Sequence, residues 1–367
     1  MIKKTNLCAI AAAVSALAAG TASAQNVTLF GRVDTGVQYT SKHAGTNSGD
    51  DDLTEVKSGG ILPSIWGLKG SEDLGGGLKA VFNLEADFSS DTGGSRGLGN
   101  ISTATFGRQS NVGLSSDWGT ILIGRQYSPA LLAELGTDPR GYKESFSMLL
   151  PFAGNQLPPG NDLSGSNNGA GIFTSNLISY TGKFGPFGVG AGFGAGEGNN
   201  GNGDGRTYSL GVTWTGAIVV SASYQQVEGA APDAKTERAA LGVAIPFDAL
   251  TFKLLWAHAK GDPNPGAGDV NNFETDVGGA GVDLKWGGAN TATLAYYYGE
   301  DADNSKDQTS TIVLSNDYAM SKRTTLYAQY VFVDADKEST ARTQITLGAT
   351  PSDEKTSIFG VGIKHDF

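Results

Sequence analysis

The chain closes with Ile358-Phe359-Gly360-Val361-Gly362-Ile363-Lys364-His365-Asp366-Phe367. Phe359, Val361, Ile363, His365 and Phe367 fall on one face of a strand, and Gly360, Gly362, Lys364 and Asp366 on the other, because side chains alternate with a period of two. One face is mostly apolar and the other polar. In a water-soluble sheet the apolar face would enter a core. A secretion signal at the opposite terminus changes the solvent, and the apolar face then reads as a lipid face.

Residues 1–24 carry that signal: Lys3 and Lys4, an apolar stretch from Ile10 to Ala19, and the small residues Ala22-Ser23-Ala24 at a cleavage site. The apolar stretch is too short to cross a bilayer as a helix. Removal of the signal leaves residues 25–367 as one domain of 343 residues, and also removes the only cysteine, Cys8. The domain then has no disulfide and no thiol chemistry. The net charge of −11 becomes about −13 without the two lysines, which argues against nucleic acid as a partner.

Across those 343 residues alternating segments of about 10 residues recur, joined by turns that are alternately short and long. Leu78, Ala80, Phe82, Leu84, Ala86 and Phe88 oppose Lys79, Val81, Asn83, Glu85 and Asp87. Near the start, Val27, Leu29, Val33, Val37 and Tyr39 oppose Thr28, Arg32, Asp34 and Gln38. Short turns are expected at 73–77, 115–119, 184–188, 246–249, 286–290 and 319–323. Long polar loops are expected at 42–59, 91–100, 196–205, 261–272 and 335–355. Tyr and Trp near strand ends suit interfacial girdles. The fold expected is all-β: an antiparallel transmembrane barrel of sixteen strands, at about 21 residues per strand and connection.

One connection, from Gln126 to Ala170, lacks alternation yet carries Leu131, Leu132, Leu135, Phe146, Met148, Leu149, Leu150 and Phe152. Long loops are usually functional or disordered, and this apolar content asks for something to pack against. Folding into the barrel lumen would supply it.

Chemical motifs are weak. Gly93-Gly94-Ser95-Arg96-Gly97 matches a hydrolase elbow without its strand–helix context, and the Asp/Asn/Gly-rich loops lack the glutamate that ends a calcium loop. His43, His258 and His365 have no metal-ligand spacing. No enzyme, metal or cofactor is expected.

Several stretches resemble general diffusion porins of the β-proteobacterial (Burkholderia/Neisseria) type. They are Val27-Thr28-Leu29-Phe30-Gly31-Arg32-Val33-Asp34, Gly70-Ser71-Glu72-Asp73-Leu74-Gly75-Gly76-Gly77-Leu78-Lys79-Ala80, Ile123-Gly124-Arg125-Gln126-Tyr127, Ser321-Lys322-Arg323-Thr324-Thr325-Leu326-Tyr327-Ala328 and the closing strand. The resemblance implies a sixteen-stranded homotrimeric barrel in the bacterial outer membrane, with its third extracellular loop folded into the pore. It implies Phe367 as the signal read by the barrel-assembly machinery, and outer-membrane lipid and lipopolysaccharide as surroundings. It also implies a wall of arginines facing acids on the loop. Here Arg108 keeps an arginine position and Arg125 lies at the base of the loop, whereas Ile65 and Phe173 occupy two other positions that are typically arginine.

The expected constriction therefore combines Arg108, Arg125, Ile65 and Phe173 with the lumen-facing Asp34 and Glu85, and with Glu134, Asp138, Arg140, Lys143 and Glu144 on the loop. Acid rings favour cations, so a weak to moderate cation preference is expected of a passive channel for ions and small hydrophilic solutes. A channel of the same fold that prefers organic acids or sugars, with surface loops as receptor epitopes, is the alternative.

Overall fold

The computed structural model describes residues 26–42, 52–95, 105–143, 145–148, 172–196, 205–229, 233–262, 272–340, 343–345 and 354–367. The signal segment and Glu144 lie outside the described residues. So do Leu149, Leu150 and Phe152.

Among the described residues seventeen strand segments form one closed sheet. They are β1 (Asn26–Thr40), β2 (Leu53–Ser58), β3 (Ile65–Gly75), β4 (Leu78–Asp87), β5 (Gln109–Ser116), β6 (Gly119–Tyr127), β7 (Phe173–Phe184), β8 (Phe187–Gly194) and β9 (Thr207–Thr215). The second half runs β10 (Val219–Glu228), β11 (Lys235–Phe247), β12 (Leu250–Asp262), β13 (Phe273–Trp286), β14 (Asn290–Asp301), β15 (Gln308–Ala319), β16 (Thr324–Ala335) and β17 (Glu354–Asp366). Both β2 and β3 pair with β1, β2 along Thr35–Thr40 and β3 along Asn26–Arg32. They are two pieces of one wall strand, so the barrel has sixteen. All neighbours are antiparallel, and β17 returns to β1 in the register Val33↔His365 to close it. Closure removes the unpaired edges that a membrane would not tolerate.

The period-two reading holds along β1 and β17, whereas in β4 Ala86, expected on the outer face, is buried. Val27, Leu29, Val37, Phe359, Val361 and Ile363 are exposed on the outer face, while Asp34, Gln38, Glu85 and Asp87 point inward and are buried. The six expected short turns fall between strands, and a seventh joins β9 to β10. Gly75, Gly76 and Gly77 all have positive φ at the first of them, a backbone that side chains disfavour. Two of the long-loop expectations need correction. Leu53–Ser58, expected as loop, forms β2 because it finds the free upper edge of β1. Thr343 to Ile345, expected in an outer loop, are buried, held where Asp307 accepts from the Thr340 amide at 2.9 Å and the Thr343 hydroxyl at 2.7 Å.

The apolar cluster that a soluble protein would put between layers lies inside the barrel here. Leu131, Tyr142, Phe146 and Met148 of the third loop pack with inward residues such as Leu255, Val277, Tyr297, Val313 and Val331.

Candidate functional site

The third loop leaves β6 and turns into the lumen at Ser128, whose hydroxyl accepts from the Leu131 amide at 3.2 Å and caps the short helix α1 (Pro129–Glu134). Ser is a favoured N-cap, and Pro129 at the first helical position has no amide proton to leave unpaired. The helix lies on β8, β9 and β10. Two glycines thin the wall beneath the helix and the residues just after it. A Cβ on Gly211 would stand 2.3 Å from the Pro129 carbonyl oxygen, and one on Gly242 would stand 2.2 Å from Thr137 Oγ1. Polar bonds complete the seam. The Ala130 amide donates to Ser209 Oγ at 3.0 Å, and Thr137 and Ser221 share a hydroxyl bond of 2.7 Å.

Beyond the helix the loop crosses to the opposite wall. Asp138 accepts from the amides of Arg140 (2.8 Å), Tyr142 (2.9 Å) and Met148 (3.3 Å), which folds the loop back on itself. Arg140 donates to the carbonyls of Ser145 (2.9 Å) and Phe146 (3.1 Å) and to Gln329 Oε1 (3.1 Å). Lys143 pairs with Asp317 of β15 at 2.6 Å, and Ser145 Oγ donates to the Gly59 carbonyl at 3.2 Å. Glu134 accepts hydrogen bonds from the hydroxyls of Ser223 and Tyr142. Burial pushes the carboxyls of Glu134 and Asp138 above their ordinary range, against the pull of those donors. It likewise lowers Arg140 and Lys143.

On the wall facing the loop, Arg108 donates to Glu85 Oε1 at 2.5 Å and to the Tyr127 hydroxyl at 2.6 Å. Arg125 donates to the Gly107 carbonyl at 2.6 Å and to Ser175 Oγ at 2.8 Å. Phe173 lies against both guanidinium groups, 4.8 Å from that of Arg108 and 5.5 Å from that of Arg125. Such cation–π contacts strengthen when desolvated.

This geometry corrects several placements. Asp34 is inward but withdrawn from lumen water: it accepts from the amides of Gly60 (3.2 Å), Ile61 (3.0 Å) and Leu62 (2.8 Å), and from the Tyr327 hydroxyl at 2.7 Å. It ties down the segment between β2 and β3. Glu134, Asp138 and Arg140 are each almost fully buried, so they anchor the loop and line no water-filled ring. Phe173, 1% exposed, fills the space between two arginines and leaves no apolar rung in the passage. Ile65 stays on the wall of a cavity between loop and barrel, together with Arg108 and Glu85.

The partners Ser221, Ser223, Gln329 and Tyr327 were not singled out in the sequence. Alternation marks them as inward-facing, but nothing local says which inward residue the loop will meet. Among the described residues no cluster of three His, Asp or Glu could hold a metal.

The chain's similarities to known proteins agree with this architecture. The family model described as Gram-negative porin matches residues 10–338. The outer membrane porin protein 32 of Delftia acidovorans is 32% identical, over 98% of this chain and 99% of its own. An outer membrane porin of Bordetella pertussis is 29% identical over the full length of both. The solved structure of an anion-selective porin from Comamonas acidovorans superposes with a TM-score of 0.78 at 27% identity, covering 94% of this chain and all of that one. A closed sixteen-stranded barrel, a loop fastened across its lumen and full-length relatives lead to one conclusion: this chain belongs to the Gram-negative porin family, and it is an outer-membrane channel for passive diffusion.

Proposed function

We propose that the channel acts as a size filter of weak charge selectivity, with no catalysis and no cofactor. The observation that carries this reading is the pairing of the charges at the constriction. Arg108 is held by Glu85, Lys143 by Asp317, and the loop acids Glu134 and Asp138 are enclosed by hydroxyl and amide donors. Neutralised pairs leave little net field on a passing ion. The acid excess of the whole chain therefore says little about the pore, and the cation preference expected from composition gives way to near neutrality. The description of the Comamonas relative as anion-selective fits a channel in which the acid excess of the whole chain does not set the preference of the pore.

The same reading takes residues 1–24 as a cleaved signal, 25–367 as the mature barrel, and the assembled form as a homotrimer in outer-membrane lipid and lipopolysaccharide. Phe367 stands at the closing seam, where its amide donates to the Gly31 carbonyl at 3.0 Å and its carbonyl accepts from the Gly31 amide at 3.2 Å. That position suits a residue on which the barrel-assembly machinery acts last. Reconstitution in planar bilayers in a potassium chloride gradient tests the proposal. Conductance in steps of three with a reversal potential near zero supports it. A strong cation or anion potential, or the absence of conductance, overturns it.

A further inference from the structure

The loop carries two large apolar side chains that the fold does not bury. Leu132 is 41% exposed and Leu135 is 39% exposed, whereas their neighbours Leu131 and Ala133 are sealed against the loop and wall. Both open leucines line a cavity of about 510 Å³ between the loop and the β1–β6 side of the barrel. Leu62, Pro63 and Ile65 line the same cavity. Apolar surface left wet in a narrow passage marks an interaction site more often than an accident.

The polar part of the cavity is compact. Arg32 and Asp366 line it and pair through Nε and Oδ1 at 2.7 Å, while Lys364, outside the lining, holds Asp366 Oδ2 at 2.6 Å. All three side chains are partly accessible, at 22%, 32% and 14%. The Arg32–Asp366 pair offers donors to a carboxylate and an acceptor to an ammonium within one hydrogen-bonded group. Arg108 and Glu85, at the same cavity, cancel each other. An apolar strip beside a mixed charge pair suits a solute built the same way.

We infer that this cavity is a transient binding site for small zwitterions with a hydrocarbon side chain, the apolar amino acids, and that it speeds their passage over equally sized polar ones. The inference rests on the diffusion-channel reading above and adds its solute class. Each passing hydrocarbon group exchanges contact with water for contact with Leu132 and Leu135, while its charged end slides along Arg32 and Asp366.

Valine and threonine test this, because they share a zwitterionic end and nearly the same shape and differ by a methyl against a hydroxyl. Swelling rates of liposomes containing the purified channel are compared in isosmotic valine and threonine. The expected valine-to-threonine ratio is about four, the worth of one buried methyl-sized contact. In the double variant Leu132→Ser, Leu135→Ser the ratio should fall to about one. A ratio reports open channels only, so a variant that inserts poorly lowers both rates and leaves it intact. Equal rates in the unmodified channel, or a preference that survives in the double variant, would overturn the inference while leaving the channel standing. Swelling in neither solute would overturn the channel reading and the inference with it.

Discussion

The two sides of the inserted loop obey opposite rules. Toward β8–β10 and the far wall the loop is glued: Glu134 and Asp138 are buried, and Gly211 and Gly242 bring the wall within contact of it. Toward β1–β6 the stretch 132–135 is open, and Leu132 and Leu135 face water. Carboxylates are buried on one side while two leucines stay open on the other. The glued side joins the apolar cluster of Leu131, Tyr142, Phe146 and Met148 to directed hydrogen bonds from the walls, and each buried acid is tolerated because donors surround it. Apolar side chains in excess of what the seam can cover are left in the passage.

The contrast can be broken at several points, in falling order of effect. Asp34→Ala would remove the acceptor for three amides and for Tyr327. Buried donors left without partners cost about 1–3 kcal/mol each, so a loss of about 3 kcal/mol in unfolding free energy is expected, with Leu62 freed from the open side. Gly211→Val should press on the Pro129 carbonyl and lift the helix, at about 1–3 kcal/mol, with broadened single-channel conductance. Gly278→Val is its control: nothing lies within 4 Å of a Cβ there, and the change should stay within about 0.5 kcal/mol. Equal effects of the two glycine variants would show that the loop does not rest on the wall at Gly211.

A smaller effect is expected from Tyr142→Phe, which takes one donor from the buried Glu134 and should weaken docking by about 1 kcal/mol. The smallest is with pH. Burial raises Glu134 above its ordinary 4.5, so the docked loop takes up this proton before an undocked one would. Docking is then strongest below that ordinary value and weakens as pH rises through the raised one. The facing groups are Tyr142 and Asp138 on the loop and Ser223 and Arg238 on the wall. Current noise from loop excursions should be greater at pH 7.5 than at pH 5, and the difference should shrink in Glu134→Gln. Noise that grows on acidification would contradict the assignment.

Much of this was legible in the sequence and some was not, for definite reasons. The barrel was readable because period-two alternation is a local property: Val361 and Ile363 against Gly362 and Lys364 already say which face meets lipid. The insertion of the third loop was readable from apolar residues lacking a partner. The seam itself was not. Asp34 and Glu85 alternate identically, yet one binds three backbone amides and the other an arginine, because only the chain's return at residues 60–62 and at Arg108 decides the partner. Phe173 read as a missing arginine and proved to be a spacer between two arginines, a contact between β7, the end of β6 and the residue before β5 that no local pattern encodes.

The two-faced loop is tested most directly by thiol accessibility, since a chain starting at residue 25 has no cysteine of its own. Single cysteines would be placed at Leu132 and Leu135 on the open side and at Ala133 and Thr137 on the glued side. Conductance would then be followed while a charged, membrane-impermeant thiol reagent is added. A buried thiol reacts only through local opening. Cysteines at 132 and 135 should therefore react at least about tenfold faster and reduce the current, while those at 133 and 137 stay protected. Equal rates at all four positions, or faster reaction at 133 and 137, would contradict the account.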